Sequence, residues 1–220
     1  MPLHLKREID RLKVNILKLG ALAEDSVQQA TIAVKNRDKQ LAEQVVSDDI
    51  KLDKMEVEIE EDCLKILALH QPVAIDLRFI VSALKINSDL ERIGDLASTI
   101  AEKVPLLADK LDDNIEPDYL TMAAKVQIML QKSLDSLVNL DTATAREVCR
   151  LDDEIDRLNH ELQEHIKDNI SKCQGGFDSC VAMLALPKTL ERIADHATNI
   201  AEDVLYMIEG DIVRHGDVIQ

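Results

Sequence analysis

The stretch LERIGDLASTIAE, Leu90 to Glu102, returns as LERIADHATNIAE, Leu190 to Glu202, 100 residues later with nine of thirteen positions identical. A chain that repeats itself at such a distance folds as two copies of one unit, and 220 residues divided in two leaves each copy about the size of a small helical domain. The repeat also preserves chemistry. Glu91 and Asp95 recur as Glu191 and Asp195, two carboxylates one helical turn apart. A like-charge pair at that spacing costs an isolated helix a few tenths of a kcal/mol. A site that needs oxygen ligands would explain why it stands there twice.

Aromatic residues make up 2% of the chain and Trp is absent, so the core has to be built from Leu, Ile, Val, Ala and Met. Those residues suit helix-on-helix packing better than sheets. The expected fold is all-α, two tandem pseudo-symmetric three-helix bundles spanning residues 1–112 and 113–220. A formal charge of -16 argues against binding a nucleic-acid backbone or an anionic membrane, and favours cations or basic protein surfaces. No apolar run approaches the roughly 20 residues of a membrane span, and Met1 to Leu19 is charged throughout, so direct membrane insertion is not expected and the protein is expected in the cytosol. Cys63, Cys149, Cys173 and Cys180 form no CxxC pair and read as reduced thiols.

Helical periodicity runs almost without pause, and its interruptions mark six elements. The first spans about Leu5 to Lys35, with Ile9, Leu12, Ile16, Leu19, Leu22, Ala23, Val27 and Ala30 as its buried stripe. A second runs from about Lys39 to Leu69, where Pro72 blocks it. A third opens near Val73 and ends near Pro105 or a turn later. Asp112 to Pro117 reads as the linker. Helices four, five and six then cover about Asp118 to Leu140, Ala145 to Lys172 and Phe177 to Glu209. The second helices also align, Asp38, Asp49 and Asp53 meeting Asp141, Asp152 and Asp156 at an offset of 103.

On a helix, Glu91, Asp95, Ser98 and Glu102 share a stripe within roughly 60°. Asp49, Asp53, Glu56 and Glu60 form a matching row on helix two. In the repeat that row keeps Asp152 and Asp156 and continues as Asn159 and Gln163. If helices two and three are antiparallel neighbours, each half brings four carboxylates to one place. A multivalent hard cation is the natural means of neutralising them. The alternative is a solvated face on which Arg92 or Arg192 pairs with Asp95 or Asp195. No Glu-x-x-His pair, phosphate-cradling Gly-rich loop or Gly-x-Ser-x-Gly is present, so no catalytic residue is assigned. His196 follows Asp195, but its counterpart is Leu96, which favours a local surface or packing role over metal ligation.

Two halves each bearing Glu-x-x-x-Asp resemble the PhoU family of phosphate-uptake regulators. The most specific stretches are QPVAIDLRFIVSALKINSDLERIGDLA at Gln71 to Ala97 and LERIADHATNIAEDVLYMIEG at Leu190 to Gly210, with Asp48 to Asp53 and Asp152 to Asp156 beside them. The resemblance implies two three-helix bundles, commonly in a homodimer, with iron, zinc or other divalent ions such as Mg, Mn or Ca on the carboxylates. By matched position the ligands are Asp49, Asp53, Glu91 and Asp95, and Asp152, Asp156, Glu191 and Asp195, with Glu102 and Glu202 as outer candidates. It also implies a non-enzymatic adaptor between the ATPase subunit of the phosphate ABC transporter and the sensor histidine kinase of the phosphate regulon, restraining starvation signalling. A di-metal helical-bundle phosphohydrolase and a structural dimer without metal are the competing expectations. Pro187 in place of Asn87, and the thinner second row, imply that the two sites differ.

Overall fold

A computed structural model describes residues 3–107, 118–169 and 176–210. Among these residues there are six α-helices and no strand: α1 Leu3–Asn36, α2 Lys39–His70, α3 Ala74–Ala101, α4 Tyr119–Asn139, α5 Thr142–Asn169 and α6 Gly176–Glu209. The third helix is shorter than its sequence pattern suggests. It stops at Ala101, and Pro105 sits in a separate 3-10 turn over Val104–Leu106.

The boundaries follow from local chemistry. Asp38 accepts the Leu41 amide at 3.0 Å to cap α2, and its repeat counterpart Asp141 accepts the Ala143 amide at 2.9 Å to start α5. Gln71 ends α2 in the left-handed region at φ 46°, just before Pro72. The expected linker and the 112/113 boundary lie outside the described residues, as does Cys173. Cys63, Cys149 and Cys180 stand as thiols rather than disulfides, with burial pushing the pKa of Cys63 up to about 12 and that of Cys149 up to about 11.

Helices α1, α2 and α3 pack on one another, as do α4, α5 and α6. The two bundles are fused through α3 against α6 and α1 against α4, and their buried side chains form one continuous core. Gly20 permits the α1–α4 approach, since a Cβ there would stand 2.7 Å from Leu134 Cδ2. Leu12, Ile16 and Leu19 are fully buried as the stripe predicts, but Leu22 is 37% exposed. It lines a groove between α1 and α2 with Asp25, Gln29 and Asp48, a place a single-helix pattern does not distinguish from the core.

The α3–α6 seam is antiparallel and partly polar. Ser82 Oγ donates to Asp203 O at 3.2 Å, Lys85 Nζ reaches Asp203 Oδ1 at 2.7 Å, and His196 Nδ1 meets Asp89 Oδ1 at 2.7 Å. Such bonds fix the register of two helices whose apolar faces alone would permit sliding.

Candidate metal centre

Antiparallel packing of α2 against α3 places Asn87 opposite Glu56, and Asp49 opposite Asp95 and Ser98. Asn87 is buried and donates Nδ2 to Glu56 O at 2.9 Å and to Glu56 Oε1 at 3.2 Å, which locks the register. Gly94 then sets the spacing. A Cβ on it would lie 2.9 Å from Leu52 Cδ1 and 3.2 Å from Asp49 Oδ1, so α2 approaches α3 closely only because that side chain is missing.

At this close approach one carboxylate oxygen from each of Asp49, Asp53 and Asp95 falls within 4.8 Å of the others. Among the described residues this is the one trio of His, Cys, Asp or Glu that converges so tightly. Asp49 Oδ1 and Ser98 Oγ are both buried without a hydrogen-bond partner at bonding geometry. Burial raises the Asp49 pKa above the ordinary carboxylate value, and the charges of Asp53, Asp95 and Glu102 raise it further, against a lowering by the nearby Ser98 hydroxyl. Glu102 lines the same groove, at the negative end of the α3 dipole.

Glu91 lies to one side of the trio. Burial raises its pKa, as does Asp95 beside it, with weaker contributions from Glu56 and Asp53. Arg92 spans both α3 acids, Nε at 3.3 Å from Glu91 Oε2 and Nη1 at 2.8 Å from Asp95 Oδ2. Its side chain is 57% exposed, a screened surface pair of the kind worth little and easily exchanged.

The second half assembles differently. Asp152 Oδ1 accepts the Thr198 hydroxyl at 3.2 Å, so the threonine matched to Ser98 satisfies its acid. Burial pushes the Asp152 pKa up to about 6, helped by the charges of Asp195 and Asp156. Asp195 is raised chiefly by burial, then by Glu191 and Asp156. Glu191 is held in an ion pair by Lys188, where the first half has Ser88. Ala194 puts a methyl where Gly94 has none, and Pro187 inside α6 removes the Asn87-type lock. Glu202 lies near Cys149, whose thiol its charge helps to keep neutral.

Of the residues singled out from the sequence, Asp49, Asp53 and Asp95 are brought together, with Glu91 and Glu102 flanking them. Asp152, Asp156, Glu191 and Asp195 share a neighbourhood without converging to the same degree. The sequence pattern gives no role to Gly94 or Lys188, and it offers Arg192 only as a partner for Asp195, whereas Arg192 lines the first half's groove from α6. The Gly94/Ala194 and Ser88/Lys188 differences inside an otherwise similar repeat are the available signals. Three carboxylates, an orphaned buried oxygen and no nitrogen or sulfur donor in the trio fit a hard, oxygen-seeking divalent ion.

Comparison with known proteins agrees with the architecture. The family model described as "PhoU domain" matches twice, over residues 16–104 and 119–204. A "Phosphate-specific transport system accessory protein PhoU homolog" of Clostridium acetobutylicum is 33% identical over 211 residues, 96% of each chain. One of the same description from Aquifex aeolicus is 35% identical with the same coverage. The crystal structure of the phosphate transport system regulatory protein PhoU from Streptococcus pneumoniae superposes with a TM-score of 0.88 at 28% identity, covering 96% of this chain and 100% of that one. PhoU from Pseudomonas aeruginosa gives 0.87 at 33% identity, covering 94% and 99%. With its domain matched in both halves and relatives aligned along nearly its whole length, the chain belongs to the PhoU family.

Proposed function

We propose that this protein is a cytosolic regulator of phosphate uptake that restrains phosphate-starvation signalling, a metal-binding adaptor between the phosphate ABC transporter's ATPase subunit and the sensor histidine kinase. The carrying observation is the trio Asp49, Asp53 and Asp95 in a chain whose relatives are named as accessory proteins of phosphate-specific transport. No helix among the described residues is long and apolar enough to cross a membrane, which leaves an adaptor to reach the transporter by surface contact. The role is regulatory rather than catalytic, and the working form is a homodimer.

In this reading Asp49 and Asp53 from α2 and Asp95 from α3 hold an iron, zinc, Mg, Mn or Ca ion, with Glu91 and Glu102 as outer oxygen donors. The bound ion supplies the positive charge that three converging carboxylates lack. Asp152, Asp156, Glu191 and Asp195, with Glu202 outside them, form the weaker counterpart, because Thr198 already satisfies Asp152 and these acids converge less tightly than the first trio. The ion pairs of Arg92 give the competing metal-free reading its support.

Two measurements test the proposal. Elemental analysis of gently purified protein should find a divalent metal in the wild type and much less in Asp49→Ala/Asp95→Ala; equal content removes the site. Deleting the gene should derepress phosphate-scavenging genes in high phosphate, and unchanged expression removes the regulatory role.

A further inference from the structure

Helix α2 is apolar on two faces. One carries Leu52, Ile59, Cys63 and Ile66 into the core. The other carries Val46, Ile50, Val57 and Leu64, which are 36%, 55%, 49% and 53% exposed. Ile50, Val57 and Leu64 recur at seven-residue spacing and Val46 stands one turn before Ile50. The four therefore share a stripe about 40° wide and about 27 Å long, nearly opposite the core face. Scattered surface hydrophobics need no explanation, whereas four aligned on one stripe, with Asp53, Lys54, Glu60 and Glu61 at the positions between, form a narrow apolar row edged by charge along which a helix can lie.

The internal repeat supplies a control. At the matched positions of α5 stand Cys149, Asp153, His160 and Lys167, and the last three are exposed and polar or charged. The same helix in the same bundle does without the stripe, so the fold does not require it.

Charge selects the occupant. Asp53 and Glu60 run along one edge of the stripe, with Glu56 behind them, and the opposite edge mixes Lys54, Glu61 and Lys65. A second copy laid antiparallel on this stripe would set the acidic edge against itself, while a helix with Lys or Arg beside its apolar row would meet it favourably. We infer that α2 docks an amphipathic helix of a partner protein, its apolar face on Val46, Ile50, Val57 and Leu64 and its basic edge along Glu60, the edge acid that the metal trio leaves free.

The probe is a synthetic amphipathic peptide of about three heptads, Leu at the seam positions and Lys beside them, with a scrambled peptide of identical composition as control. The full chain should bind the amphipathic peptide, and Ile50→Gln/Val57→Gln/Leu64→Gln should weaken that affinity about tenfold or more with unchanged circular dichroism and metal content. Asp153→Asn/Lys167→Gln on α5 should leave it unchanged. Equal binding of the scrambled peptide, or full affinity in the Gln variant, overturns the inference. So does a wild-type dimer that the Gln substitutions dissociate, which would give the stripe to a second copy.

Discussion

Asp49 packs against the bare backbone of Gly94, its Oδ1 3.2 Å from where a Cβ would stand. The same Cβ would press on Leu52, whose side chain is buried and has little room to turn. The residue that lets α2 and α3 touch is thus also the one that draws the carboxylates together.

Gly94→Ala therefore separates stability from site geometry. The methyl improves helix propensity by about 1 kcal/mol, and overpacking against Leu52 costs about 1–3 kcal/mol. The melting temperature should fall by only a few degrees, while displacement of Asp49 should weaken divalent-metal affinity about tenfold. Calorimetric titration beside a thermal melt reads both, and unaltered affinity would show that the spacing does not govern the site.

Charge neutralisation at the trio gives a crossover. In chelator, Asp49→Asn/Asp53→Asn removes a like-charge pair one turn apart, which should stabilise by about 0.5 kcal/mol. In excess divalent ion the order reverses, since wild type gains about 2.7 kcal/mol at a hundredfold excess over Kd and the variant gains nothing. Thermal melts with and without metal check it. Parallel shifts in both proteins would sink the metal reading.

Much of this is legible in the sequence. Asp38 and Asp141 mark helix starts through chemistry that lies within four residues, and the stripe of Leu12, Ile16 and Leu19 follows from spacing alone. The pairing of Asp49 with Asp95 can be reached because two short rows have to face each other if α2 and α3 are neighbours. Leu22 departs from its stripe because its exposure depends on where α2 crosses α1, which no single-helix pattern encodes. The position of Glu91 beside the trio depends on rotamers and on the close α2–α3 approach at Gly94, whereas the Lys188–Glu191 pair is an i,i+3 spacing within α6 that the sequence does carry.

The second half titrates on its own account. Burial and neighbouring acids push the Asp152 pKa up from 3.8 to about 6 in the folded protein. Below about pH 4 both folded and unfolded states hold the proton, and the residue costs nothing. As pH rises through about 4 to 6 the unfolded chain loses the proton first, so folding stability falls and stays lower above about pH 6. In chelator, Asp152→Asn should flatten that decline and gain on the order of 1 kcal/mol at about pH 7.5, a value already reduced for solvent screening of a half-exposed group. Urea titrations across about pH 4 to 8 measure it. An equal decline in the variant would place its origin elsewhere.

The seam between the halves supplies the last prediction. Asp89 accepts from His196 at 2.7 Å and from Asn199 at 3.3 Å, and both members of the His196 pair are mostly buried. At the matched positions of the pseudo-symmetric seam stand Thr189 and Leu96, 7% and 4% exposed, which pack without an ion pair. The fold thus accepts either solution at this crossing, but not half of one. Asp89→Thr alone strands the imidazole and should cost about 1–3 kcal/mol. Asp89→Thr/His196→Leu, which copies the other half, should recover most of that loss, with a coupling energy of about 1–2 kcal/mol in a double-mutant cycle. Urea denaturation of the four proteins gives the cycle directly. Additive losses would mean that His196 and Asp89 stabilise the seam independently, and that register is set instead by Ser82 and Lys85 against Asp203.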